Sequence, residues 1–185
     1  MNGLIMDYPL TVPAILKRAA QIYPEKEIVS RLSDGRITRA NYGELYERVV
    51  RLMNVLRDLG VRPGDRVATC AWNSQRHLEL YFAIPCLGAV LHTVNHRLST
   101  DQIEYIVNHA EDHILFLDKS VAGMIAELQP KLPQVQHFVV MEDYSEPPSA
   151  YPTPYLDYET LLASASNAEN FPDIDERAAS GLRYT

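Results

Sequence analysis

Between Asn41 and Met141 a helix-like stretch followed by a short apolar stretch recurs about four times. This alternation restricts the fold more than any other feature of the chain. Strands separated by helices cannot pair as tight hairpins. They must be joined by crossovers, which build a mainly parallel sheet with helices on both faces. The predicted class is therefore α/β.

Local signals place the elements. Thr11 reads as an N-cap with Pro13 in the first turn, ahead of a stripe of Ile15, Leu16, Ala19 and Ile22. Glu27–Arg31 is a predicted strand, Ser33-Asp34-Gly35 a turn, and Ile37-Thr38 the start of a returning strand. Asn41 and Glu44 have capping-box spacing, and Leu45, Val49, Leu52, Leu56 and Leu59 follow at steps of three and four. Gly60 suits a helix C-terminus and Pro63-Gly64 a turn. Further strands are expected at Arg66–Trp72, Ala89–Thr93, Ile114–Leu117 and Val135–Met141. Helices are expected from Asn73 or Ser74 to about Leu87, behind a Ser99/Gln102 capping box, and over Val121–Leu128.

After Met141 the texture changes. Prolines at 147, 148, 152 and 154 mark a surface loop, Tyr158–Ala165 a short helix, and Asn167–Glu176 is acidic and extended. Ala179–Thr185 resembles a chain entering a strand, which points to a truncated chain. The expected organisation is one incomplete domain over 1–185, with a core over 1–141 and a connecting segment over 142–185.

Composition excludes several classes. The formal charge of −7 argues against a nucleic-acid binder. The longest apolar run, Tyr81–Leu91, is interrupted by Pro85 and Gly88 and is too short to span a bilayer. No signal peptide is read at the N-terminus, and Cys70 and Cys86 form neither a disulfide framework nor a CxxC pair. The expectation is a reduced, cytoplasmic protein whose cysteines are small core residues.

Chemistry is sparse in the residues themselves. The eight glycines allow no GxGxxG or Walker A loop, and no GxSxG elbow is present. His92 and His96 are four apart, as are His109 and His113, but the predicted elements do not put either pair on one helix face, so caps, surface positions or hydrogen-bonded roles suit them better than a metal site. Trp72 reads as a core residue at a strand end, with ligand stacking as the alternative. Arg97 stands apart. It follows a strand and precedes a capped helix, where open α/β sheets bind ligands, and its guanidinium suits phosphate. A surface ion pair or C-cap contact is the alternative.

Several runs resemble the N-terminal part of the adenylate-forming (AMP-binding) acyl-CoA synthetases: Asn41–Leu45, Leu59–Ala68 and Gly88–Ser99, which contains Asn95-His96-Arg97-Leu98. Tyr105–Asp112 and Val135–Met141 resemble the medium- and long-chain fatty-acyl subgroup. Tyr184-Thr185 match the first two residues of that family's phosphate loop.

The resemblance implies a fatty acid–CoA ligase. A carboxylate attacks the α-phosphate of ATP, giving acyl-adenylate and pyrophosphate, and the thiol of coenzyme A then displaces AMP. It implies ATP, Mg²⁺ and coenzyme A as cofactors or substrates, a fatty acid as partner, and a homodimer. It assigns Thr185 to ATP phosphate or Mg²⁺ and Arg97 to a coenzyme A phosphate, with no catalytic residue in the chain itself, so the 185 residues alone are expected to be inactive. Where the family has proline, this chain has His96, which is expected to loosen the loop because proline fixes φ. Aryl-CoA ligases, luciferase-like enzymes and peptide-synthetase adenylation domains share the early segments. A non-catalytic interaction or dimerisation module retaining only this fold is the alternative outside enzymes.

Overall fold

The computed structural model describes residues 3–4, 8–32, 34–143 and 145–185. Ser33, the first residue of the expected Ser33–Gly35 turn, lies outside them. The elements in chain order are α1 (Val12–Ile22), β1 (Glu27–Arg31), β2 (Ile37–Asn41), α2 (Tyr42–Asp58), β3 (Arg66–Cys70), α3 (Gln75–Cys86), β4 (Val90–Thr93), α4 (Thr100–His109), β5 (Ile114–Asp118), α5 (Ala122–Leu128), β6 (His137–Met141), β7 (Leu156–Asp157), α6 (Tyr158–Ser164) and β8 (Gly181–Leu182).

Helices α2, α3 and α4 begin where their caps dictate, whereas Thr11, at the N-cap of α1, makes no side-chain cap hydrogen bond. The Asn41 side chain accepts from the Glu44 amide while Glu44 accepts from the Asn41 amide, and Ser99 and Gln102 do the same for α4. Ser74, one of the two expected caps, accepts from the His77 amide and starts α3. The α2 stripe is buried at Leu45, Val49, Leu52 and Leu56. The α1 stripe is only partly so: Leu16 is buried, whereas Ile15 and Ile22 are exposed, because α1 lies at the rim and only one of its edges reaches α2 and α3.

β1 and β2 form an antiparallel hairpin. The remaining six strands form one sheet in the order β7-β6-β5-β3-β4-β8, and every neighbouring pair is parallel. The predicted α/β class with a mainly parallel sheet is what the structure shows. Two short strands refine it: β7, which lies in the segment read as loop, and β8, which the approach to a strand at 179–185 anticipates.

Both faces of the sheet are covered. Val67, Leu91, Ile114, Phe116 and Val139 face the core shared with α1, α2, α3 and α6. Ala68, Cys70, Leu115, Leu117, Phe138 and Val140 alternate with them and face α4 and α5. Double-sided burial explains why these strands read as continuous apolar runs. From β3 the chain moves outward to β4 through α3 on one face, then returns past β3 to β5 and β6 through α4 and α5 on the other. Reversing direction and changing face together is what a constant crossover hand requires. Among the described residues no helix is long and apolar enough to cross a membrane.

Candidate functional site

Two places at the carboxyl ends of the strands could hold a ligand. The first is the switch point between β3 and β5, where the direction of the crossovers reverses. Here it is closed by its own side chains. The Trp72 amide donates to Asp118 Oδ2 at 2.6 Å and the indole Nε1 donates to Ser120 Oγ at 3.1 Å. Asp118 is buried at the end of β5, and that desolvation, reinforced by Asp143 nearby, pushes its carboxyl up to about 7. Trp72 is not the core residue the sequence suggests. Its side chain is 41% exposed, and its ring lies 4.1 Å from that of His96.

The second place is the edge where β4 and β8 run side by side, with Leu91 opposite Gly181 and His92 opposite Leu182. Both sequence-predicted site residues follow these strands. Arg97 is four residues beyond the end of β4, and Thr185 is three beyond the end of β8. Both are exposed. Arg97 has no carboxylate partner among the described residues, so its charge is presented to solvent. Its backbone amide is held by Asn95 Oδ1 at 3.0 Å, and the Leu98 amide donates to the Asn95 carbonyl at 3.1 Å. This turn and the His96 ring, tilted 50° against that of Trp72, hold the loop. Where proline would fix φ, two local hydrogen bonds and the His96–Trp72 ring contact shape this turn. Burial of the His96 ring, and secondarily the Arg97 charge, hold that imidazole below its ordinary pKa.

Sequence reasoning missed the polar pair beneath this edge. His92 Nδ1 lies 2.6 Å from Asp112 Oδ2, and both side chains are fully buried. Burial raises the Asp112 carboxyl, an effect the His92 hydrogen bond partly offsets. Asp112 reaches its place through Glu111, whose φ of 54° turns the chain sharply between α4 and β5. The Tyr184 ring lies 5.3 Å from the His92 ring, and its hydroxyl is 2.6 Å from His109 Nδ1. No local spacing signals this cluster: its members come from β4, the end of α4, the turn after it, and the residues after β8.

Among the described residues no three His, Cys, Asp or Glu side chains are grouped as metal ligands. Cys70 and Cys86 are free and buried, which pushes both thiols up to about 12. A separate cavity of about 240 Å³, lined by Arg62, Asp65, Arg66 and His113 among others, opens at the opposite, amino end of the strands.

Comparison with known proteins places this geometry. The model of the AMP-binding enzyme family matches residues 16–179. Over 181 residues the chain is 46% identical to a long-chain-fatty-acid–CoA ligase of Thermus thermophilus, covering 98% of this chain and 32% of the relative. It is 38% identical to a medium-chain-fatty-acid–CoA ligase of Ectopseudomonas oleovorans, covering 100% and 34%. The structure of the anthranilate CoA ligase AuaEII superposes with a TM-score of 0.82 at 19% identity, over 100% of this chain and 33% of that one. A fatty acyl CoA synthetase of Mycobacterium tuberculosis gives 0.73 at 20%, over 95% and 32%. The chain thus spans about a third of the length of the relatives it matches. A family model matched over most of the chain, and a relative 46% identical over nearly all of it, lead to one conclusion: the chain belongs to the AMP-binding enzyme family.

Proposed function

We propose that this chain is the N-terminal portion of a fatty acid–CoA ligase, one incomplete domain that works only as part of the whole enzyme. The observation that carries this reading is that Arg97 and Thr185 each follow the carboxyl end of one of two adjacent parallel strands, in a chain 46% identical to a fatty-acid–CoA ligase. In this reading a fatty carboxylate attacks the α-phosphate of ATP, giving acyl-adenylate and releasing pyrophosphate, and the thiol of coenzyme A then takes the acyl group and releases AMP.

The contribution of these residues is positional and electrostatic. Arg97 supplies a fixed positive charge for a phosphate of coenzyme A, presented by a turn that its own backbone hydrogen bond orders. Thr185 supplies a hydroxyl and a backbone amide toward the phosphates of ATP. Among the described residues no group of three His, Cys, Asp or Glu side chains accompanies the Thr185 hydroxyl as ligands for Mg²⁺. Association as a homodimer is part of the proposal; sedimentation velocity of the ligase showing only monomer at all concentrations would remove it.

The test is pyrophosphate release by the ligase that carries this segment, measured with a panel of carboxylates. Medium- and long-chain fatty acids are expected to give ATP-dependent release, and the 185-residue chain alone none. Preference for aromatic or amino acid carboxylates would assign a different substrate class, and no release with any of them would favour an interaction module.

A further inference from the structure

We propose that the buried His92–Asp112 pair is a positioning device for the chain leaving β8: it sets Tyr184, and through Tyr184 the peptide that presents Thr185. The inference rests on the ligase reading above and goes further, giving a role to two residues that touch no substrate.

The geometry is specific. β8 is held to β4 by only two register pairs, Leu91 with Gly181 and His92 with Leu182. Two residues later, the direction of Tyr184 is fixed by its side chain: the ring sits against the His92 imidazole, and the hydroxyl is bound to His109 Nδ1. The His92 ring cannot swing, because Nδ1 is tied to Asp112 at 2.6 Å inside a fully buried site. Asp112 is fixed in turn by the tight turn at Glu111 and by its amide, which donates to the Val107 carbonyl at 3.2 Å.

Stability alone does not account for such a pair. His92 Nε2 and Asp112 Oδ1 are both buried with no hydrogen-bond partner among the described residues. Replacing a buried polar pair by aliphatic side chains of the same volume is often neutral or stabilising. What the pair offers instead is a defined ring plane at a defined depth. Tyr184 is bonded directly to Thr185, so if the ring loses its anchors and the Tyr184 backbone angles relax, the amide and hydroxyl of Thr185 are displaced with them. Displacements of this kind are costly where reacting groups are held in line.

The experiment uses the ligase carrying this segment, with His92→Leu, which removes the hydrogen bond and leaves a side chain that still fills much of the site, and His92→Asn, whose amide can still donate to Asp112. For His92→Leu the KM for ATP in ATP–pyrophosphate exchange is expected to rise about 10-fold or more, with the KM for coenzyme A unchanged. His92→Asn should recover most of the loss. In a second readout, independent of turnover, the backbone amide resonances of residues 183–185 should move in His92→Leu and return toward wild type in His92→Asn. The proposal is overturned if the two KM values rise together in step with a lowered melting temperature, or if neither the ATP KM nor the 183–185 resonances change. Wild-type ligase that releases no pyrophosphate with any carboxylate would sink the functional reading instead. The resonances of 183–185 would then still decide whether His92 sets the strand exit.

Discussion

The Tyr158 hydroxyl donates a 2.6 Å hydrogen bond to Oε2 of Glu79, a carboxylate with no exposed surface, and so joins α6 to α3. The same carboxylate accepts from Arg48 of α2 at 2.7 Å and from Gln75 at 3.0 Å. Arg48 also grips Glu159 with two nitrogens, and Arg76 adds a third bond to it. Three helices on one face of the sheet are locked through a single buried acid.

Removing the Tyr158 hydroxyl should therefore weaken the fold without opening a cavity. Tyr158→Phe is expected to cost about 1–3 kcal/mol, the range for a buried hydrogen bond to a charged group. Glu79→Leu should cost more, because it strands Arg48 in a half-buried place with one partner fewer. Urea unfolding of each variant measures both, and Tyr158→Phe as stable as wild type would show that the bond contributes nothing.

Asp118 should make stability fall as pH rises. Its carboxyl titrates near 7 in the folded state, against an ordinary value of 3.8. A raised carboxylate favours folding below its unfolded value and loses that contribution as pH climbs through the folded one. The loss runs from about pH 4 to about pH 7 and is on the order of 4 kcal/mol at most. Asp143 and Arg76 face the same group, with opposite effects on it. Asp118→Asn keeps an oxygen to accept from the Trp72 amide while removing the charge. Its stability relative to wild type should grow between pH 4.5 and 8, as measured by thermal melts across that window. A pH-independent difference would contradict the titration.

Gly88 turns α3 into β4 with a φ of 74°, and a Cβ there would lie 3.4 Å from the Pro63 Cβ. Gly88→Ala should destabilise by about 1–2 kcal/mol through the left-handed backbone alone. Gly60→Ala, at a φ of 88° with open space around it, separates the backbone cost from the packing cost. The difference between the two in chemical denaturation reports the Pro63 contact.

Arg97→Ala, in the ligase that carries this segment, should raise the KM for coenzyme A about 10-fold, the loss of roughly 1.4 kcal/mol, and leave ATP–pyrophosphate exchange unchanged. Arg97→Lys should recover only part of it, since an ammonium cannot match the planar fork. An equal effect on both half-reactions would remove the coenzyme A assignment.

The chain's helices, their caps and the parallel character of its sheet follow from the sequence, because those signals act over a few residues: Asn41 finds Glu44, Ser99 finds Gln102, and apolar steps of three and four make one face. The polar clusters do not follow from it. His92 meets Asp112 across 20 residues, Trp72 meets Asp118 across 46, and Glu79 meets Tyr158 across 79. The pairing of β8 with β4 joins segments some ninety residues apart through two backbone pairs that carry no side-chain signature. Which strands become neighbours is settled by how all the crossovers pack at once. Only that packing brought Arg97 and Thr185 to one edge and put a buried histidine beneath it.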